Sequence, residues 1–246
     1  MKSRWILSLG LLFGAAAAHA AGYVNLGKTG EDVLKECNPD NSPSVAKCRV
    51  QSLPGSNNYT LVGSRSTPIV KNDVTVGTLY DKVWRHKTRP NRYVFGMKVT
   101  MNSNQWDPTG LSFNVNDLAR RLRPNAFARA AYYLDGSSKA LIAVGRTGLG
   151  LNEYDEEQPE RDNTWVDFRV DANAAEPSGS SSASSPWVLV RTRAPAGYEV
   201  HPFGVRILNS DFPNPSSSVD VFVPGFQPNG VPPPDDDDDD DEGDED

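Results

Sequence analysis

The sequence predicts a mainly β domain: a single β-sandwich or open barrel of about eight to ten strands, with one short helix at about 114–123. Three observations lead there. Between Arg92 and Met101 apolar residues take alternate positions, Tyr93, Phe95, Met97, Val99 and Met101. That period of two marks a strand with one buried face. From Tyr59 to Val223, runs rich in Val, Ile, Thr, Tyr, Phe and Trp are separated by Gly, Pro, Asn and Asp clusters, without the regular alternation of strand and helix that a parallel sheet needs. Only one stretch carries a convincing helical stripe.

The chain begins with Lys2 and Arg4, an apolar run from Trp5 to Ala18 and a small-x-small site at Ala18-His19-Ala20. This is the pattern of a secretory signal peptide, so residues 1–20 are expected to be a leader and the mature chain to be exported, periplasmic or extracellular. The apolar run is shorter than the roughly 20 residues that span a bilayer, and no later run approaches that length. Residues 21–57 are polar and turn-rich, an irregular lead-in. They hold the two cysteines, Cys37 and Cys48. In an exported chain such a pair reads as a disulfide, worth on the order of 3 kcal/mol for a loop of this size.

The β domain is expected at 58–226. Tyr59–Gly63 and Thr67–Lys71 are short β-like runs, and Asn72-Asp73 is a turn signal. Val74 to Trp84 and Arg92 to Met101 form a strand pair around a cationic tip. The stretch 114–123 reads as the helix. Asn114 or Asn116 caps it, Val115, Leu118, Ala119 and Leu122 make an apolar stripe, and Asp117 and Arg120, Arg121 and Arg123 suit the two ends of the dipole. Pro124 stops it. Residues 126–134 fit either helix or strand. Further strands are expected at 141–146, 164–171, 187–192, 198–208 and 219–223. Beyond them, 227–246 is a Pro-rich spacer and an Asp/Glu tail with no apolar surface to offset ordering entropy.

The charge is unevenly distributed. The chain has 25 basic and 32 acidic residues, for a net charge of −7, and 11 of the acids lie in Asp235–Asp246. With the leader and that run set aside, 23 basic and 21 acidic residues remain, a nearly neutral body of +2.

Catalytic signatures are sparse. No GxSxG elbow, HExxH, Walker loop or Rossmann fingerprint occurs, and His86 and His201 are the histidines of the mature chain. A hydrolase of surface polymers built on His201 is the rival reading, and a non-catalytic module is preferred. Glu153, Asp155, Glu156, Glu157, Glu160 and Asp162 could supply oxygens to a weak calcium site, although the spacing is not that of an EF-hand. No other cofactor is expected. The densest cationic stretch is the hairpin tip. Lys82, Arg85, His86, Lys87, Arg89 and Arg92 lie beside Trp84 and Tyr93, a combination of guanidinium forks and aromatic rings suited to an anionic or carbohydrate ligand. Nucleic acid is disfavoured by the exported destination and the acidic tail. The expected function is therefore a binding or structural module, with an anionic polymer or glycan as partner. The oligomeric state is not legible.

Overall fold

The computed structural model describes residues 22–27, 35–36, 48–55, 58–135, 142–147, 162–175, 182–209 and 219–229. The expected leader, Cys37, five of the six candidate calcium acids and the acidic run lie outside them. The described residues contain twelve strands: β1 (Val24–Asn25), β2 (Lys35–Glu36), β3 (Tyr59–Lys71), β4 (Val74–His86), β5 (Arg92–Met101), β6 (Val115–Arg121), β7 (Ala128–Tyr133), β8 (Ala143–Gly145), β9 (Trp165–Ala172), β10 (Trp187–Arg193), β11 (Tyr198–Asn209) and β12 (Val219–Pro228). They form two sheets, ordered β1-β7-β10-β5-β4-β3 (the first sheet) and β12-β11-β6-β9-β8-β2 (the second). The strand pairs are antiparallel, and the sheets face each other as a sandwich without closing into a barrel. Among the described residues no helix is long and apolar enough to cross a membrane.

The expected hairpin is present as β4 and β5, paired from Gly77–Met101 to Arg85–Tyr93. The two short runs before it are one strand, β3, and Asn72-Asp73 turns it into β4 with positive φ at both residues, 48° and 62°. That is the backbone a two-residue hairpin turn requires. β3 is an edge strand. Pro68 lies within it, and its pairing slips at Leu61/Gly63 and Ile69/Val70. A proline and two bulges on an exposed edge hinder pairing with another sheet.

The helix expected at 114–123 is not there. Those residues form β6, at the centre of the second sheet between β11 and β9. The physical reason lies in the polar residues. A helix reading puts Asp117 and Arg120 in solvent, but both are fully buried. Asp117 Oδ2 lies 3.7 Å from Arg169 Nη1. Arg120 Nη2 donates to Asp81 Oδ1 of β4 at 2.7 Å, and Arg120 Nη1 donates to the Phe226 carbonyl. Asp81 Oδ2 also accepts from the Phe226 amide at 2.6 Å. Partners distant in sequence satisfy charges that the local pattern assigns to water. The ambiguous stretch at 126–134 is likewise a strand, β7.

The main core fills the space between the sheets with Leu79, Met97, Val99, Leu118, Val166, Phe168, Val190 and Ile207 among others. The outer face of the first sheet is covered as well. Trp84, Val94, Trp187, Leu189, Ala131 and Tyr59 pack there, under Tyr23, Val50, Leu53 and Tyr133. The lead-in supplies part of this cover. β1 pairs with β7, and further along Val50 donates to the Tyr132 carbonyl while Tyr132 donates to the Cys48 carbonyl. Two separate pieces of the lead-in thus share the outer edge of β7.

The outer face of the second sheet buries charge. Asp117 and Asp167 lie on it, with Arg169, Arg206 and Asp220 nearby; Arg206 Nε donates to Asp220 Oδ2 at 2.8 Å. Burial, and then the neighbouring Asp117 charge, push the Asp167 carboxyl well above the usual carboxylate range. The folded chain therefore holds this proton more tightly than the unfolded chain does. The Asp167 contribution is complete below the unfolded carboxyl value of about 4 and is lost as pH rises towards the folded one, at up to about 1.4 kcal/mol per pH unit. Asp167→Asn should flatten the fall in stability above about pH 4. Denaturant titrations of both proteins across that range test this, and parallel curves would refute it.

Candidate functional site

The connections at one end of the sandwich bring distant cations together. The β4–β5 tip, the turn between β10 and β11 and the end of β12 are linked in series. Ala194 donates to the Asn91 carbonyl at 2.7 Å, Gly197 to the Ala194 carbonyl at 2.9 Å, and Asn229 to the Gly197 carbonyl at 2.8 Å. Gly197 has φ +82°, a backbone that favours glycine. The antiparallel register carries Arg193, Arg121 and Arg123 to the same end, because β10, β6 and the residues after β6 finish there. On the side of the first sheet stand Arg85, Lys87, Arg89, Arg92 and Arg193; on the other side are Arg121 and Arg123. Among the described residues, the carboxylates at this end are Asp162 and Glu199.

Two cross-strand pairs on the first sheet bring like charges face to face. Arg193 of β10 is opposite Arg92 of β5, and Arg191 of β10 is opposite Arg129 of β7. The alternation of each strand puts all four on the outer face, and all are half-buried. Directly opposed like charges disfavour strand pairing. Arg191 also lies over the Tyr23 ring, 4.8 Å from its centroid.

The residues expected at the tip separate into two groups. Lys82, Trp84 and Arg92 share the outer face, as the register requires. Trp84 is nevertheless only 4 % exposed, packed edge-on against Trp187 with ring centroids 6.5 Å apart. Lys82 Nζ lies 4.9 Å from the Trp187 centroid. Tyr93 points to the opposite face, into a cluster with Val83, Phe95, Ala194 and Phe226. His86 is buried, and its Nδ1 accepts the Arg89 amide at 3.1 Å and the Thr88 amide at 3.2 Å, which shapes the turn. Arg85 Nε donates to the Pro90 carbonyl at 3.0 Å. Arg85 and Lys87 are exposed, while Arg89 and Arg92 are half-buried. The cations are thus displayed, and the aromatic residues support them from within.

Beside the tip, a pocket of about 280 Å³ is lined by Arg121, Leu122, Arg123, Pro124, Thr164, Glu199, His201 and Gln227. Arg123 Nη2 lies 3.4 Å from Glu199 Oε1, which also accepts from Gln227 Nε2 at 2.7 Å. His201 shares the pocket with Glu199 and Arg121. Nδ1 accepts the Phe203 amide at 3.0 Å, and Nε2 faces Arg121 Nη1 at 3.4 Å. Neither contact is with a hydroxyl nucleophile or a carboxylate.

Of the acids considered for calcium, Glu153, Asp155, Glu156, Glu157 and Glu160 lie outside the described residues. Asp162 Oδ1 accepts from the Thr164 amide at 2.7 Å and its hydroxyl at 2.6 Å, closing a local turn. Among the described residues no group of three or more His, Cys, Asp and Glu side chains could hold a metal ion. Arg146 anchors the loops behind the pocket, donating to the Ala126 carbonyl at 2.6 Å, the Gly27 carbonyl at 3.2 Å and the Asn163 carbonyl. Burial lowers the pKa of this guanidinium to about 10.

Sequence reasoning missed Arg121, Arg123, Arg191 and Arg193, which the strand register carries towards one end of the sandwich from its two sheets. The pattern Arg191-Thr192-Arg193 was the available signal, since alternate positions of a strand share a face. Its neighbours across the sheet are set by pairing, which the sequence does not display. No family model matches the chain, and no curated protein or solved structure matches it either.

Proposed function

We propose that the chain is an exported, non-catalytic binding module whose basic end takes an anionic polymer, an acidic glycan included. The observation that carries this reading is the facing pair Arg92 and Arg193, at an end where Arg85, Lys87, Arg89, Arg121 and Arg123 also gather. A row of carboxylates, sulfates or phosphates would receive the forked donors of the guanidinium groups. Export is supported by the leader pattern. A Cys37–Cys48 disulfide fits the same compartment and would tie the lead-in beside β7, where Cys48 is buried.

The test is titration of a heparin oligosaccharide, as a representative polyanion, into the wild type and the Lys87→Ala/Arg193→Ala variant at low salt. Affinity should fall on the order of tenfold per cation removed, and wild-type binding should weaken steadily with added salt. Equal affinity of the two proteins, or no binding at low salt, would reject the proposal.

A further inference from the structure

We infer that the outer face of the second sheet carries a separate site for a neutral glycan. A row of aromatic side chains on β9, β12 and β11 receives successive sugar rings, and the pocket at His201 receives one at the end of the row. Four rings follow one another there. The centroids of Trp165 and Phe222 are 6.3 Å apart, those of Phe222 and Phe203 5.7 Å, and those of Phe203 and His201 5.9 Å. His201 also lines the pocket that holds Glu199 and Gln227, so the row leads into it.

Strand alternation places two of these rings. Val166, Val221 and Val223 belong to the core, which turns their neighbours Trp165 and Phe222 outward. Phe203 is placed by an irregularity. The pairing of β11 with β12 shifts between His201 and Val205, and a bulge of this kind re-aims a side chain. The bulge is fixed in shape. The Phe203 amide donates to His201 Nδ1 at 3.0 Å, and a Cβ on Gly204 would collide with the Gly225 carbonyl, so the two strands close tightly just beyond Phe203. Phe203 and Phe222 nevertheless remain 53 % and 46 % exposed. Phenyl rings left in water are unfavourable, and adjoining exposed apolar side chains with a polar rim mark an interaction site.

Charge identifies the occupant. Two of the arginines along the row are matched by carboxylates. Arg206 lies 5.9 Å from the Phe222 centroid and its Nε donates to Asp220 Oδ2 at 2.8 Å, while Arg123 Nη2 is 3.4 Å from Glu199 Oε1. The described face therefore offers little net charge to an ionic ligand. It offers ring surface beside a carboxylate, a carboxamide and a hydroxyl, those of Glu199, Gln227 and Thr164. A sugar has the complementary make-up, with C–H faces that lie on aromatic rings and hydroxyls that both donate and accept. A purely apolar partner would strand the polar groups of the pocket, at a cost. The pocket, about 280 Å³, is near the lower end of ligand pockets and suits a single ring. Successive aromatic planes are turned by 53°, 87° and 57°, which suits a chain whose units are twisted against one another.

The test is calorimetric titration of the full-length chain with cellohexaose, maltohexaose and chitohexaose. At least one should bind. Phe203→Ala and Phe222→Ala should each weaken that binding about three- to tenfold. Both rings are exposed, so both variants should melt close to the parent. Phe222→Tyr keeps the ring and should bind as the parent does. Affinity should be unchanged at about 0.5 M salt and in the Lys87→Ala/Arg193→Ala variant, which separates this site from the basic end. Absence of binding to all three sugars would overturn the inference, and so would equal affinity of the two alanine variants and the parent. Binding that salt abolishes would transfer the face to the polyanion site and overturn the neutral form. If sedimentation shows that the parent self-associates and Phe222→Ala does not, a second copy covers the face and the inference falls. Failure of heparin oligosaccharide to bind would reject the basic end alone.

Discussion

Arg120→Ala is expected to destabilise the fold by about 3–5 kcal/mol, the usual cost of leaving one member of a buried ion pair behind. For a domain of this size that lowers Tm by about 10 °C or more. Arg120 and Asp81 have no exposed side-chain surface. Removing the guanidinium leaves the Asp81 carboxylate with only the Phe226 amide among these contacts and deprives the Phe226 carbonyl of its donor. Asp81→Ala should cost a similar amount for the complementary reason. Paired replacement, Asp81→Leu with Arg120→Met, should cost less than the sum of the two alanine variants, because neither charge is stranded. Urea denaturation of the four proteins measures this. Additive losses would show that the two side chains act independently.

Trp84→Ala is expected to cost a comparable amount, about 3–5 kcal/mol, as for other large aromatic residues removed from a core. The indole packs close to Gly96 of β5: a Cβ there would come within 2.8 Å of Trp84 Cζ3 and 2.9 Å of Leu189 Cδ2. Gly96→Ala should therefore disturb the same cluster. Trp84→Phe, which keeps most of the apolar contact, should lose far less stability and bind heparin oligosaccharide with unchanged affinity. A folded Trp84→Ala protein with wild-type stability and weakened polyanion binding would reverse the assignment and make the ring part of a ligand platform.

The contrast between Trp84 and Arg85 marks where sequence reasoning succeeds. The β4–β5 hairpin was legible because an alternating run, a turn and a β-rich partner agree with one another. Its cationic tip was legible because charge density needs no register. The faces were not. Alternation separates Trp84 from Arg85, but it does not reveal that Val50 and Leu53 close over the outer side of the first sheet. β6 failed for a related reason. Leu118 and Leu122 recur at helical spacing, and Asp117 and Arg120 look solvated until Asp81, Arg169 and the rest of the sandwich surround them. The basic end combines cations from three connections, and only strand order brings Arg123 and Arg193 to the end that holds Arg85.

Phe226 has a consequence for how the basic end moves. Its amide and carbonyl are held by Asp81 and Arg120, and its ring packs with Tyr93, Phe95 and Ala194 beneath the cationic tip. This end is therefore not a fringe that frays while the centre remains intact. Opening it would break the same bonds that join the two sheets, so amide exchange around Tyr93, Ala194 and Phe226 is expected among the slowest of the molecule. A ligand taken up at this end, as proposed, would meet a surface already fixed in shape and would spend little binding energy on ordering the protein.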